Sequence, residues 1–581
     1  MEAITLEQEA GPSHGFGALD LSHRAKMEIL FAILLGLFLG ALDQTIVGVA
    51  LPTIVTDLGG QTLLTWTITI YLLTSTITVP FYGKLSDLYG RKPVLMFGIT
   101  VFLIGSALSG LSQDMTQLII FRGIQGLGAC ALFPISLAVI GDLFTPAERG
   151  KYQGLFGAVF GISAIVGPLL GGFVTEHWSW HWIFFINIPI GLVSLAVIGR
   201  VLPNVRRQGV AHNLDFLGGG VFTVAVGALL IGLTNKQTAD WQVFEVGGLI
   251  LIGLALGAVF VFIESRAKEP IVPLHLWKDR TYSTSIIATF LISFGFFGAA
   301  VFLPQWFQFV YGATPTMSGL YSLALLAGLI ISSIGSGQIV ARTGRYKALI
   351  VGGLGIMSVG LFLMSHLQAD TPLAVLWAWM FVTGLGIGPT LAVFTIVVQN
   401  AVPVRELGVA TSNLTFFRQM GGVVGLAILG TVFGTRLTSE LATQLAPLAP
   451  KLLAAGVPPQ ALKSLGGGQA TSLVQVGKPL GETILAAIPE PIRTAVTPFI
   501  NDIVNGIHQA FSVAIGEVFL IGAGTTLVAL VVSLAMREIP LRGAVGAKAA
   551  SGAVGAEAAL GAEAYDEIAD EVIPSIEPAF D

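Results

Sequence analysis

The chain has 581 residues, of which 54% are hydrophobic and only 11% are charged, and its mean hydropathy is +0.82. Soluble globular proteins carry roughly one-quarter charged residues, so the composition excludes an ordinary soluble domain and indicates a multi-pass membrane protein. The formal net charge of −5 is uninformative, and we expect no nucleic-acid partner. The single cysteine, Cys130, excludes a disulfide framework and any CxxC metal or redox site.

Long apolar runs separated by polar breaks predict the transmembrane helices, because about twenty apolar residues cross a bilayer as a helix. We predict an all-α fold with fourteen spans. They are 27–55, 63–82, 93–112, 115–143, 149–174, 180–202, 213–234, 243–265, 281–310, 316–340, 347–368, 373–399, 408–435 and 511–537.

The basic residues predict the orientation of these spans. Most lysines and arginines fall in loops on the side of both termini, whereas the short loops of the other side hold only Lys236. Basic loops remain cytoplasmic, so both termini are expected in the cytoplasm of a cell whose plasma or inner membrane holds the protein. No short apolar core is followed by a small-residue cleavage site, so no cleaved signal peptide is expected.

Three segments are predicted to lie outside the spans. Residues 1–26 form a cytoplasmic N-terminal segment, and residues 541–581 form an acidic, disordered tail rich in alanine and glycine. Residues 436–510 are expected to be an external, partly helical insertion that rests on the membrane or covers the protein. No function for this insertion follows from the sequence.

An internal repeat divides the spans into two halves. "GKLSDLYGRKPV" begins at Gly83 and "GQIVARTGRYKA" begins at Gly337, an offset of 254 residues, and each follows the second helix of a predicted half. The repeat predicts six-helix bundles at 27–202 and 280–537 with two helices interposed at 213–265. Two such bundles around a central site are typical of secondary transporters.

Several motifs resemble those of the major facilitator superfamily, and more narrowly the fourteen-helix drug:proton antiporters. They are "LDQTIVGVALPTI" at 42–54, "GKLSDLYGRK" at 83–92, "RGIQGLGA" at 122–129, "GAVFGISAIVGPLLGG" at 157–172, "WIFFINIPIG" at 182–191 and "FFRQMGGVVGLAILG" at 416–430. The resemblance implies a proton-coupled exporter of amphipathic or cationic compounds, a multidrug efflux protein of the kind that confers antibiotic resistance. A lipid or another endogenous metabolite is the alternative cargo.

Asp43 is the predicted proton-coupling group, because a charged residue in a membrane helix costs roughly 2.5–3.5 kcal/mol and usually faces a bundle interior. Burial favours the neutral form of an acid, so a carboxyl group reached from alternate sides can load and release a proton. Arg122, which the resemblance links to proton handling, is its expected partner although it lies roughly 8 Å less deep. Glu517 is a second candidate, either titrating in the cycle or resting at the interface. A permanently paired, structural Asp43 is the alternative.

Two motifs are candidates for gating. Gly83 and Gly90 permit a tight loop, and Asp87, Arg91 and Lys92 can form ion pairs or meet helix ends across the halves; setting the topology alone is the alternative. Since the second copy has Ala341 in place of Asp87, the acid of such a latch comes from the first half. In 157–172, Gly167 and Pro168 belong to a motif that marks antiporters in the resembled family, with ordinary helix packing as the alternative.

Uncharged amides and aromatic rings in apolar spans are the candidate substrate contacts, since aromatic faces attract cations by about 0.5–2 kcal/mol. Packing between helices is the alternative for each. The candidates are Trp66, Tyr71, Gln125, Asn187, Gln305, Gln308, Gln399, Asn413 and Phe417. Arg418 and Gln419 are interpreted as structural or gating residues.

Other classes of protein lack their signatures in the sequence. There is no G-x4-G-K-[ST] phosphate loop, HExxH, GxSxG or pair of intramembrane aspartates, so we predict neither a nucleotide-driven pump nor an enzyme. We expect no cofactor and no metal site. Protons, a small amphipathic molecule and membrane lipids are the expected partners of a monomer.

Overall fold

A computed structural model of the chain describes residues 21–59, 63–204, 215–236, 239–454, 480–487, 490 and 492–541. These residues are almost entirely helical, and none of them lies in a β-strand. The predicted terminal segments fall largely outside the described residues. The helices are α1 (His23–Leu58), α2 (Leu64–Tyr89), α3 (Arg91–Gly110), α4 (Met115–Leu143), α5 (Pro146–His177), α6 (Trp182–Phe185), α7 (Asn187–Val201), α8 (Phe216–Asn235), α9 (Leu249–Glu264), α10 (Arg280–Val310), α11 (Pro315–Tyr321), α12 (Leu323–Thr343), α13 (Lys347–Met364), α14 (Leu373–Ala401), α15 (Leu407–Leu445), α16 (Ala449–Ala454), α17 (Leu480–Ala487), α18 (Ile492–Val496) and α19 (Ile500–Leu534).

Thirteen helical stretches of the described chain are long and apolar enough to cross a membrane. They correspond to the predicted spans other than the second, which is the 26-residue helix α2. Six threonines lower the hydropathy of α2, and five of them, Thr67, Thr69, Thr74, Thr76 and Thr78, occupy buried or half-buried positions. The all-α, multi-pass architecture predicted from the sequence is confirmed.

Local sequence signals set the boundaries of the helices. The side chain of Asp114 accepts a hydrogen bond from the backbone N–H of Gln117 and so caps α4. Thr145 and Glu148 form a capping box at the start of α5, whose first residue is Pro146. These caps satisfy amide groups that the first turn of a helix leaves without partners.

The two halves have separate apolar cores that meet along two seams. In the first half, the larger core includes residues of α1–α5 and α7, and a smaller one includes residues of α1, α4, α5 and α6; the core of the second half is built from α10–α15 and α19. The seams are the contacts of α2 with α15 and of α5 with α12. Phe416 and Met420 of α15 cross the first seam and pack into the core of the first half.

The interposed helices α8 and α9 form a hairpin against the first seam. The ring of Phe222 on α8 lies 5.9 Å from that of Phe81 on α2 and 5.3 Å from that of Phe416 on α15. One aromatic residue of the hairpin therefore contacts both halves.

Residues 436–510 differ from the predicted insertion, because the flanking spans continue into them. Helix α15 extends to Leu445, and α19 begins at Ile500. Leu441 of α15 and Ile503 of α19 are buried in the core of the second half together with Ile484 of α17. The apolar face of each span continues past the predicted boundary, so the described parts of this segment extend the bundle. Covering of the protein by this segment stays a prediction.

Candidate functional site

A buried polar cluster surrounds Asp43 in the first half. The Asp43 side chain is fully buried on α1, and its Oδ2 atom lies 2.7 Å from Nη1 of Arg122 on α4. Gln125, one turn further along α4, donates from Nε2 to Oδ1 of Asp43 at 2.8 Å, and Asn187 on α7 donates from Nδ2 to the same oxygen at 3.0 Å. Helices α4 and α7 thus bring three residues singled out from the sequence to the carboxylate of α1.

The guanidinium group of Arg122 is enclosed by aromatic and polar side chains. Its Cζ atom lies 4.1 Å from the centre of the Tyr71 ring and 5.8 Å from that of Phe184. Ser106 of α3 accepts a hydrogen bond from Asn187 and donates one to the backbone oxygen of Phe184. The cluster is therefore braced by α2, α3 and α6, and its ion pair is held in a low-dielectric environment.

One face of α1 changes from buried to exposed at the level of Asp43. Ile33, Leu37 and Ala41 lie on this face at helical spacing and are buried, whereas the next two positions, Gln44 and Gly48, are exposed. We call the end of the bundle that carries residues 83–92, predicted to be cytoplasmic, the inner end. The ion pair therefore lies next to the level at which α1 becomes accessible toward the opposite, outer end.

Two other predicted substrate contacts are buried at or near the inner end. Gln399 of α14 donates from Nε2 to the backbone oxygen of Leu137 at 3.0 Å and to Thr411 at 3.2 Å, and it accepts from Nε2 of Gln153 at 2.9 Å. Asn413 of α15 donates to the hydroxyl oxygen of Tyr282 at 3.2 Å. Gln399 thus bonds residues of α4 and α5 across the halves, which fits closure of the inner end better than contact with a substrate.

The remaining predicted substrate contacts are not brought together. Gln305 on α10 is exposed, while Gln308 donates to Ser318 at 3.2 Å. Trp66 is half-buried near the outer end of α2, and the ring of Phe417 on α15 meets an edge of Trp277. Tyr71, Gln125 and Asn187 belong to the Asp43 cluster, so their position favours tuning of the carboxylate over direct substrate contact.

Asp87 connects the two halves at the inner end. Its carboxylate accepts hydrogen bonds from the backbone N–H groups of Gly408 at 3.1 Å and Val409 at 2.8 Å, at the first turn of α15. Because a helix N-terminus carries unsatisfied N–H groups and a partial positive charge, it binds a carboxylate favourably. Arg91 is also 2.6 Å from Asp87.

The neighbouring motif residues support this contact. Arg91 donates to Asp142 at 2.8 Å, and Lys92 donates to the backbone oxygen of Gly199 at the end of α7. Gly90 has φ of 95°, a value that favours glycine. A Cβ atom on Gly83 would collide with the side chain of Ser412, so glycine is required for this approach of α2 to α15.

The second copy of the repeat shares the positive-φ glycine and the close helix approach of the first, but none of its described residues forms a buried ion pair. Gly344 has φ of 69°, and a Cβ atom on Gly337 would collide with the backbone oxygen of Gly150 on α5. Arg345, the counterpart of Arg91, is exposed. The seam between α5 and α12 is therefore built on close approach of backbones, with Ser333 donating to the backbone oxygen of Gly154.

The other candidates for coupling and gating lie apart from Asp43. Glu517 is 39% exposed and pairs with Arg436 at 3.0 Å between α19 and α15. A Cβ atom on Gly167 would collide with Thr45 of α1, so this glycine allows α1 and α5 to pack closely. Pro168 lies inside α5 and faces the outer start of the second half, where it is the nearest neighbour of Gly319.

Sequence reasoning missed Ser106, Asp142, Gln153 and the two amide groups that bind Asp87. Buried serine, glutamine and backbone amides carry no distinctive pattern in sequence, but Asp142 is an acid at the end of an apolar run and could have been paired with Arg91. Among the described residues, no three His, Cys, Asp or Glu side chains are grouped as a metal site.

Comparison with known proteins identifies the family. Residues 33–426 match the model of the Major Facilitator Superfamily. The chain is 37% identical over 519 residues to Multidrug transporter protein MdtP of Bacillus subtilis, covering 88% of this chain and 93% of the relative. It is also 37% identical to Multidrug resistance protein 3 of the same species, over 71% of this chain and 80% of that protein.

A solved structure shares the fold. The human organic anion transporter MFSD10 (TETRAN) matches with a TM-score of 0.51 and 16% identity, covering 70% of this chain and 94% of that chain. The chain belongs to the major facilitator superfamily and is a multi-pass membrane transporter, not an enzyme.

Proposed function

We propose that this major facilitator superfamily member exports amphipathic compounds, cations among them, in exchange for protons by alternating access. The observation that carries the proposal is the buried ion pair of Asp43 with Arg122, at the level where α1 becomes exposed toward the outer end. The two Bacillus relatives are named as a multidrug transporter and a multidrug resistance protein, which supports drug efflux as the direction and cargo class.

The ion pair offers a means of coupling, because protonation of Asp43 removes the charge that Arg122 and two amide groups hold in place. Removing one charge of a buried pair costs about 3–5 kcal/mol, since the other charge is left without compensation. Protonation therefore weakens the contact of α1 with α4 and α7 and favours a rearrangement of these helices. Release of the proton to the other side restores the pair.

The proton gradient supplies energy on the scale that this cycle needs. Each charge crossing 100 mV releases about 2.3 kcal/mol, and each pH unit adds about 1.36 kcal/mol. If Asp43 alone cycles, exchange of one proton for a monovalent cation moves no net charge and responds to the pH gradient only. No cofactor enters this scheme.

The contact of Asp87 with α15 serves as the inner gate. In the conformation described, hydrogen bonds from Gly408 and Val409 to Asp87 and from Gln153 to Gln399 hold the inner ends of the halves together. Opening toward the cytoplasm requires these bonds to break, and hydration of Asp87 and Arg91 offsets part of that loss.

We place the protein in the plasma or inner membrane, as a monomer with both termini cytoplasmic.

Transport by purified protein in lipid vesicles tests the proposal. A pH gradient is imposed without ATP, and movement of ethidium and of protons is followed by dye fluorescence. Asp43→Asn should abolish coupled movement, whereas Glu28→Gln, which replaces an exposed acid of the same helix, should retain it. Wild-type transport that persists after the proton gradient is dissipated would contradict proton coupling.

A further inference from the structure

Arg418 is an arginine inside the membrane-spanning part of α15 that the proposed cycle does not use. It lies eleven residues after Leu407, or roughly 16 Å along the helix axis from the inner end. Part of the side chain is accessible, but its Nη2 atom is enclosed and has no hydrogen-bond partner. Within the described chain no hydrogen bond, ion pair or ring contact involves this guanidinium group.

The other enclosed arginines all have partners. Arg91 pairs with two aspartates, Arg122 pairs with Asp43, and Arg149 donates to the backbone oxygens of Gly141 and Phe144. A guanidinium group in the middle of a membrane helix is energetically costly unless it is paired or hydrated. Arg418 has no such partner among the described residues, which favours a role in binding.

The face of α15 that carries Arg418 is turned toward α10 and α14. Thr411, seven residues earlier, receives a hydrogen bond from Gln399 of α14. Gly421 and Gly425, three and seven residues later, abut Phe290 and Phe294 of α10. The side of α15 that carries Arg418 is therefore packed close to the part of α10 that contains these two phenylalanines.

The neighbouring side chain adds a second polar group without a partner. The Oε1 atom of Gln419 is enclosed and accepts no hydrogen bond from any described residue. Consecutive side chains of a helix point about 100° apart, so Gln419 lies on a neighbouring face of α15 and Arg418 is the group on the face turned toward α10.

We propose that Arg418 binds the carboxylate or phosphate group of an amphiphilic ligand, whose apolar part packs against the phenylalanines of α10. The planar guanidinium group can donate two parallel hydrogen bonds to either anion. The identification of this ligand with an exported compound rests on the proposed function. It extends the cargo to zwitterions and amphiphilic anions, and a lipid headgroup supplies the same chemistry.

Two dyes that differ in one group test the proposal by binding, independently of transport. Rhodamine 110 has a free carboxylate, and rhodamine 123 is its methyl ester. In phosphatidylcholine nanodiscs, wild-type protein should bind rhodamine 110 about tenfold more tightly than the ester. Arg418→Gln should abolish this preference, Arg418→Lys should retain part of it, and Arg24→Gln, at an arginine whose side chain is 90% exposed, should leave it unchanged.

A second binding experiment tests whether a lipid headgroup also binds at Arg418. If phosphatidylglycerol in the nanodisc weakens binding of rhodamine 110 to wild type but not to Arg418→Gln, a lipid headgroup also occupies the site, which supports the proposal. Three results would overturn the proposal. They are equal affinity of wild type for the two dyes, no binding of either dye, and an unchanged preference for rhodamine 110 in folded Arg418→Gln. Since no proton gradient is applied, these results are separate from a failure of proton coupling.

Discussion

Replacement of Asp43 by asparagine perturbs the buried ion pair with the smallest change of shape. The carboxylate accepts from Arg122 at Oδ2 and from Gln125 and Asn187 at Oδ1. An asparagine amide has one oxygen and one NH2 group, so in either orientation a donor faces a donor. The positive charge of Arg122 is also left without compensation, because within the described chain Asp43 is the one acid that pairs with it.

The expected cost of Asp43→Asn is about 3–5 kcal/mol of folded-state stability, the range for breaking a buried pair. The variant should remain in the membrane, unfold at lower temperature in detergent and show no proton-coupled efflux. A double variant, Asp43→Asn with Arg122→Gln, removes both charges and should regain most of the stability without regaining coupling. The loss of transport is thereby separated from the loss of stability.

Thermal unfolding in detergent and dye efflux from vesicles at equal expression measure the two effects. Wild-type efflux in Asp43→Asn would refute the coupling role. A stability loss below about 1 kcal/mol would refute the burial argument, because that value is typical of solvent-exposed pairs.

Three further substitutions probe the gates and the second acid. Asp87→Ala removes the acceptor of two amide hydrogen bonds at α15 and should slow dye efflux severalfold while leaving dye affinity unchanged. Gly83→Ala places a methyl group against Ser412 and should prevent closure of the inner end, so efflux should fall. The double variant Gly83→Ala/Ser412→Gly should recover part of the efflux. The control Gly352→Ala, at a glycine with no neighbouring atom within contact distance, should have no effect. Glu517→Gln, at an exposed pair, should change stability by less than about 1 kcal/mol and leave the proton-to-dye ratio unchanged.

A specific result would contradict each of these three expectations. Lost dye affinity with normal kinetics in Asp87→Ala would contradict a gate. Normal efflux in Gly83→Ala would show that the seam can move apart without consequence. A changed proton count in Glu517→Gln, measured from the voltage dependence of efflux, would assign this acid to the cycle after all.

The sequence predicts the fold well because each span is specified locally. Apolar runs, caps such as Thr145 with Glu148, and basic loops all indicate the same helices. The predicted span with the lowest hydropathy is α2, because it contains six threonines. Their hydroxyl groups can still be accommodated in a helix by donating to the backbone, as Thr78 does to the backbone oxygen of Thr74. The predicted outer end of α15 lies ten residues before the observed one and the predicted start of α19 lies eleven residues after the observed one, because polar residues interrupt the apolar runs there without ending the helices.

The site could be predicted in part. Asp43 and Arg122 were paired from their chemistry despite their different depths along the sequence, and the structure places them in contact. The i, i+3 spacing of Arg122 and Gln125 indicates a shared face and could have placed Gln125 at the carboxylate. Asn187 could not be placed, because its contact with Asp43 depends on how α7 packs against α1, which no local pattern specifies.

The two seams between the halves differ in what their separation exposes. At α2 and α15 the ties are a carboxylate, a guanidinium group and amide hydrogens, all of which bind water strongly once parted. At α5 and α12, backbones meet at Gly150 and Gly337, and the polar contact described there, from Ser333 to the backbone oxygen of Gly154, is uncharged. Separation of the former boundary therefore exposes charged groups that water stabilises, whereas separation of the latter exposes uncharged groups, so the inner end would open from one side.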